Sequence, residues 1–375
     1  MTAPRFIQLH TLVSYSAALL NRDDSGFAKR LPFGGATRTR ISSQCLKRHW
    51  RKAEDEWALS GIGPEMAVRS RKIPEERILP ALEASSAGTA DTRKAAIEAI
   101  AVALYSKSAV KDPSSRQALL IGEAEIAYLI EKATAAATQA DAKAATTAIE
   151  TLFKKEEKAN LSAMLATKGA LHAGLESALF GRMVTSDPEA NTDAAIHVAH
   201  AFTVHAEEAE TDYFTVVDDL ETGSGAGGIF DTEITAGLFY LYVVIDVPGL
   251  MGNLGGDAAL AGKVVEHLTH LIATVSPGAK KGSTAPYAYA DLVFTETGNR
   301  QPRSLANAFR DAGKASVGDA TKRLADHLER LDGMYGAKET RQLAAVSPDA
   351  ELPGIAAHKN LNDLARALAA EVAGA

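Results

Sequence analysis

Nine basic side chains fall between Arg22 and Lys52: Arg22, Lys29, Arg30, Arg38, Arg40, Lys47, Arg48, Arg51 and Lys52. Only Asp23 and Asp24 sit among them, so the stretch carries +7. The whole chain has a formal net charge of −7, which leaves −14 for the remainder. A cationic stripe concentrated on an acidic body makes one defined electrostatic footprint. Phosphate is the anion it suits, because arginine clamps it through two N–H groups and lysine offers a point charge. The plainer alternative is a solvated helix face beside a basic loop, and charge alone leaves both open.

The other chemistry-bearing residues point less far. Asp23 and Asp24 could hold a divalent ion beside a scissile phosphate, as metal-assisted nucleases require. No third carboxylate accompanies them, which favours a turn in which they pair with Arg22 or Lys29. Along a strand His197 and His205 would share one face and His200 the other. His267 and His270 would share a helix side with no acidic or thiol ligand nearby. No metal site is predicted. The glycines at 223, 225, 227 and 228 match neither a P-loop nor a dinucleotide fingerprint and predict a protruding hairpin or loop. Spacing alone supports no Ser–His–Asp pattern. Cys45 is the single cysteine, which excludes an internal disulfide and fits a reducing compartment. No catalytic residue and no cofactor are expected.

The elements that position the stripe can be read from periodicity. Residues 5–15 are rich in strand formers. The run from Leu20 to Ala36 has turn chemistry, and Pro32 with Gly34-Gly35 predicts an irregular loop. A helix starts near Ser42 or Ser43, with Leu46, Trp50, Ala53 and Trp57 as its buried stripe. Lys47 and Arg51 lie one turn apart on another face, as do Arg48 and Lys52. From about 61 to 176 an Ala-, Glu-, Lys- and Leu-rich texture predicts several helices, with the tract Lys132–Ala148 packing thinly. Alternation returns at 195–205 and 237–246, followed by a helix over 260–274, a strand at 291–295 and helices to the end. An early strand and later strands with helices interposed predict an α+β fold: a sheet domain interrupted by a helical one.

At 375 residues the chain has room for two domains, and its 46% hydrophobic and 23% charged content is that of a globular protein with a real core. The most apolar stretch, Leu238–Met251, is broken by Asp246 and Pro248 and is too short to span a bilayer. Met1-Thr2-Ala3-Pro4-Arg5 leads directly into strand formers, so no secretory signal and a cytoplasmic location are expected.

Several ordered blocks resemble one family. They are Leu20-Asn21-Arg22-Asp23-Asp24, Phe33-Gly34-Gly35, and Arg38-x-Arg40-Ile41-Ser42-Ser43-Gln44-x-Leu46-Lys47-Arg48. Further along come Leu179-Phe180-Gly181-Arg182-Met183, Ala199-His200-Ala201-Phe202-Thr203 and Phe214-Thr215-Val216-Val217-Asp218-Asp219-Leu220. Asn253-Leu254-Gly255-Gly256, Pro277-Gly278-Ala279-Lys280 and Ser304-Leu305-Ala306-Asn307-Ala308-Phe309 complete the set. Together they resemble the CasC-type backbone subunits of type I-E CRISPR Cascade complexes.

The resemblance implies an RRM-like (ferredoxin-like) palm over 1–60 and 177–375, helical fingers over 61–176 and a β-hairpin thumb over 217–236. It implies a non-enzymatic subunit that stacks head to tail with copies of itself along a CRISPR guide RNA. Bases would be left exposed to pair with a target DNA strand. The other Cascade subunits, and a helicase-nuclease recruited by the assembled complex, would be partners. Guide contacts map to Arg22, Lys29, Arg40, Ser42, Gln44, Lys47 and Arg51, with Arg38 and Arg48 of the same stripe beside them. Ile229 and Phe230 are the thumb residues assigned to wedge the RNA. The rival reading is a metal-dependent ribonuclease using Asp23 and Asp24, as related backbone subunits of other CRISPR types cut RNA from a comparable loop.

Overall fold

A computed structural model describes residues 3–105, 112–153, 171, 173–184, 190–217 and 226–374. In chain order the strands are β1 (Phe6–Ala18), β2 (Arg30–Phe33), β3 (Ala36–Ile41), β4 (Ala67–Ser70), β5 (Leu119–Gly122) and β6 (Ile196–Val198). They continue with β7 (Ala201–Thr203), β8 (Ala209–Val217), β9 (Ala226–Asp246), β10 (Ala290–Gly298) and β11 (Thr340–Ala345). The helices used below are α1 (Ser43–Arg51), α2 (Ala90–Tyr105), α3 (Glu123–Ala137), α4 (Ala142–Leu152), α5 (Ala258–Thr274), α6 (Val317–Tyr335) and α7 (Leu361–Ala373). The chain divides into two compact units. The first comprises Met1–Ile62, Ile196–Val247 and Ala258–Ala375; the second comprises Gly63–Ala195 and Pro248–Asp257.

The first unit is built on an antiparallel sheet in the order β11-β10-β1-β9-β7-β3-β2, with β6 and β8 also paired to β9. β1 lies between β10 and β9 and is buried on both faces over Phe6–Leu12. Because the strand is covered on both sides, its polar Gln8, His10 and Thr11 are buried along with Phe6, Ile7, Leu9 and Leu12. On one face Leu12, Tyr240 and Phe294 pack with Leu305, Phe309 and the α6 residues Leu324 and Leu328. α5 packs on the sheet and α7 packs against α5. Gly262 permits that close approach, since a Cβ there would lie 3.0 Å from the Ala369 carbonyl oxygen. The later half of the chain also holds a strand, β11, where the sequence pattern predicted only helices.

Two local expectations near the basic stripe are corrected. The loop around Pro32 contains a regular hairpin: β2 and β3 pair with Phe33 opposite Ala36. Gly34 and Gly35 form its two-residue turn at φ +61° and +79°. Two consecutive positive φ values match the twist of a tight hairpin, and glycine adopts them without a Cβ clash. Pro32 is tolerated because β2 is an edge strand. The second correction is the end of α1 at Arg51, so Ala53 and Trp57 lie beyond the helix. Trp57 instead stacks on His270, ring centroids 3.6 Å apart.

The second unit is mainly helical, with a core of Ile97, Ile100 and Leu104 from α2, Ile126 and Leu129 from α3, and Ile149 from α4. It also contains a two-stranded sheet, β4 with β5, where only helices were expected. The alanine-rich tract over 132–148 is well packed rather than thin: Ala133, Ala136, Ala137 and Ala145 are buried on α3 and α4. Small side chains let helices come together without a large apolar surface. Arg182, from one of the family-like blocks, is buried and forms a two-pronged pair with Glu125 at 2.6 and 2.7 Å.

Candidate nucleic-acid interface

The basic stripe folds as strand end, loop, hairpin and helix. Asn21 ties the parts together: its backbone carbonyl accepts from Lys29 N at 2.9 Å. Its side-chain oxygen accepts from Ser42 N, also at 2.9 Å. Inside the loop Asp23 Oδ1 accepts from Ser25 N at 2.9 Å and Phe27 N at 3.0 Å, so this carboxylate shapes the turn. Ser42 caps α1, its hydroxyl accepting from Cys45 N at 3.2 Å. The first turn of α1 contains no acidic residue, while Arg48, His49 and Arg51 occupy its last turn.

Around this frame the cations converge from three elements. Arg40 on β3 donates from Nη1 to His200 Nδ1 at 2.9 Å and from Nε to the Arg30 carbonyl at 3.1 Å. Burial, together with the charges of Arg40, Lys29 and Lys47, lowers the pKa of His200. Burial and the charges of Lys281 and Arg48 outweigh a backbone hydrogen bond and lower that of His49. Lys29, Arg40 and Lys47 thus lie near His200, and Arg48 and Lys281 near His49. Asp23, Asp24, Lys29, Arg30 and Arg40 line an open depression beside them. Cys45 takes no ionic part: burial pushes its thiol up to about 11 despite Lys29 and Arg48.

The expected residues sort by what they touch. Arg22, Gln44 and Arg48 are exposed, and Lys29, Arg40, Lys47 and Arg51 are half-buried. Among the described residues Arg22, Lys29, Arg40 and Arg48 take part in no ion pair. Ser42 is buried and its hydroxyl is used as the cap. Arg38 must be corrected outright. It is 0% exposed, and it donates to the carbonyls of Thr203 at 2.9 Å, Phe309 at 3.0 Å and Arg310 at 3.1 Å. A guanidinium held by the backbone of two other segments is a structural tie, and it has no surface to offer a ligand. Arg30 is spent as well, paired with Glu207 and Glu233.

Glu233 belongs to the β8–β9 hairpin, so Arg30 joins the stripe to the hairpin base. The hairpin pairs Ala209–Val217 with Ala226–Thr235, and positions 218–225 lie outside the described residues. Phe230 is exposed and stacks on Phe214 directly opposite, centroids 5.6 Å apart. Ile229 pairs through its backbone with Thr215, but its side chain lies outside the described residues. Tyr213 and Val216 are exposed on the same hairpin. Lys280 reaches the hairpin, with Nζ 5.4 Å from the centre of the Phe214 ring. The residues that spacing did not single out as RNA contacts are thus His200, Phe214, Lys280 and Lys281. All but Lys281 sat inside family-like blocks, and Lys281 adjoins one. Their clustering with the stripe had no local signal. Among the described residues no group of three or more His, Cys, Asp or Glu could hold a metal ion. None of the described helices is long and apolar enough to cross a membrane.

An antiparallel sheet with helical cover, a largely helical second unit and an open cationic edge together define a mixed α/β chain with the fold of CRISPR surveillance-complex subunits. A chain titled "CRISPR RNA-guided surveillance complex, pre-nicking" is similar to it with a TM-score of 0.80. The identity is 27%, over 98% of this chain and 100% of that one. A chain of another CRISPR RNA-guided surveillance complex shares the fold at TM-score 0.60 and 22% identity, over 97% and 98% of the two chains. The model of the CT1975-like protein family of Cas proteins matches residues 7–368, and the chain belongs to that family. No curated protein matches it by sequence.

Proposed function

We propose that the chain is a non-enzymatic backbone subunit of a type I-E Cascade-like complex. In this role it grips the guide RNA through its sugar–phosphate chain and stacks head to tail with further copies. The observation that carries the reading is that Lys29 and Arg40 line one open depression, joined by an Arg40 N–H to Lys29 carbonyl bond of 2.8 Å, with His200 2.9 Å from Arg40 Nη1 and no ion-pair partner for either cation among the described residues. The order β10-β1-β9-β7, with α1 between the first and second of these strands in sequence and α5 before the last, supports reading the first unit as an RRM-like palm. The β8–β9 hairpin then serves as the thumb, and the exposed Phe214–Phe230 pair as its wedge. Grip on phosphates and 2′-hydroxyls carries no sequence information, which suits a subunit that must accept any guide and leave bases free for a target DNA strand. The other Cascade subunits and a recruited helicase-nuclease complete the partner set, in the cytoplasm.

Charge reversal at Lys47 and Arg51 together tests this directly. Co-expressed with a CRISPR array and the companion subunits, Lys47→Glu/Arg51→Glu should yield folded protein without co-purifying guide RNA. Unchanged RNA content would refute the reading. Guide binding should also weaken with salt, with a log–log slope of about −0.7 per phosphate neutralised. The ribonuclease alternative predicts Mg²⁺-dependent cutting of complementary RNA by the assembled complex, abolished in Asp24→Ala. Our reading predicts no cutting by either protein.

A further inference from the structure

We infer that His200 is a further RNA-contacting residue of this edge, and that binding of the sugar–phosphate chain is coupled to uptake of one proton by its ring. The inference rests on the reading of the edge as an RNA interface. A guanidinium can only donate, so the 2.9 Å contact from Arg40 Nη1 makes His200 Nδ1 an acceptor. The ring is then neutral, with its proton on Nε2. The imidazole is exposed on the β6–β7 connection, so the Nε2–H can donate to an anion that reaches the edge.

The charges bearing on the ring are Arg40 of β3, Lys29 of the loop ahead of β2 and Lys47 of α1, all cationic. With burial they keep the ring neutral in the free chain. A phosphate entering the same space opposes that field and favours the charged ring. The ring then takes a proton from solvent at Nδ1, and Arg40 Nη1 is released to the phosphate. Linkage makes the effect reciprocal: an anion that raises the proton affinity of His200 must bind more tightly as pH falls.

The test uses the full chain and a fluorescein-labelled single-stranded RNA of mixed sequence, with affinity measured between about pH 8 and about pH 6. The wild-type protein should gain affinity as pH falls across that window where His200→Gln does not, with a ceiling of about tenfold per one-unit rise in ring pKa, approached only once pH nears the ring's own lowered value. The glutamine carbonyl can still accept from Arg40, so His200→Gln should match the wild type near pH 8 and fail to gain below it. Identical pH profiles for the two proteins would overturn the inference and reduce His200 to a positioning residue for Arg40. Lys47→Glu separates the two levels. If it weakens RNA binding while the pH profiles coincide, only the role of His200 falls. If it leaves RNA binding unchanged at pH 8, the interface reading falls and the inference with it.

Discussion

Two regions of the first unit gather arginine and lysine, and they treat the charge in opposite ways. Between β1, β10 and β11, Glu296 is fully buried. It receives Arg303 at 2.5 and 3.0 Å and Arg341 at 3.0 Å. Arg341 continues to Asp332 at 2.6 and 2.7 Å, and His10 lies 3.6 Å from the Glu296 carboxylate. On the α1 edge, Arg22, Lys29, Arg40 and Arg48 have no ion-pair partner among the described residues. A buried charge is tolerable only when paired. Exposed like charges repel one another, and solvent and salt keep the cost small. Charge of the first kind holds the fold; charge of the second kind is available to a polyanion.

The largest break in this contrast should come at Glu296. Glu296→Gln leaves the half-buried Arg303 without its carboxylate and the buried side chain of Arg341 with only that of Asp332, and should cost about 3–5 kcal/mol in urea unfolding. A loss below about 1 kcal/mol would mean that the cluster is solvated and that the two regions do not differ in kind. Arg38→Ala should come next, at about 3 kcal/mol, because several backbone carbonyls lose their donor. That variant sharpens the comparison, since Arg38 belongs by sequence to the open stripe and by packing to the buried class. Any RNA defect it shows should track the fraction unfolded.

Acid should act on the buried region selectively. Burial alone would raise the pKa of Glu296, but the hydrogen bonds from Arg303 and Arg341 and the charges around it hold it well below the usual carboxylate range. A carboxyl depressed in the folded state adds stability above its unfolded pKa, about 4.3, and loses it as pH falls below that value. Thermal melts should therefore drop on acidification more steeply in the wild type than in Glu296→Gln. The smallest stability effect belongs to the open edge. Arg48→Glu, at an exposed side chain with no ion-pair partner among the described residues, should shift unfolding by less than about 1 kcal/mol.

Legibility followed the range of the interaction. β1, α5 and the alternating part of β9 could be read because their apolar periodicity is written along the strand or helix itself. The start of α1 was visible because Ser42 caps by reaching three residues ahead. The β2–β3 hairpin is not legible in the sequence, since Gly34-Gly35 suits both an irregular turn and a tight one, and pairing decides between them. β4 and β5 escaped because each is four residues long and gains its partner from about fifty residues away. The alanine tract lacked large side chains and so read as thin, yet it buries by closeness rather than by area.

Taken alone, the sequence determined that positive charge is concentrated between Arg22 and Lys52, that a strand–loop–helix unit carries it, and that the alternating strands belong to one sheet domain. These are matters of composition and local period. Which cations face outward was decided only by the tertiary structure. Arg38 and Arg40 are two residues apart on β3, and such residues share a face of a strand. They differ because Phe309 and Arg310, some 270 residues away, bring their carbonyls over Arg38, whereas the Arg40 guanidinium donates to the Arg30 carbonyl and the exposed ring of His200. Burial is set by what the rest of the chain lays on top of a residue, and local spacing carries no record of that.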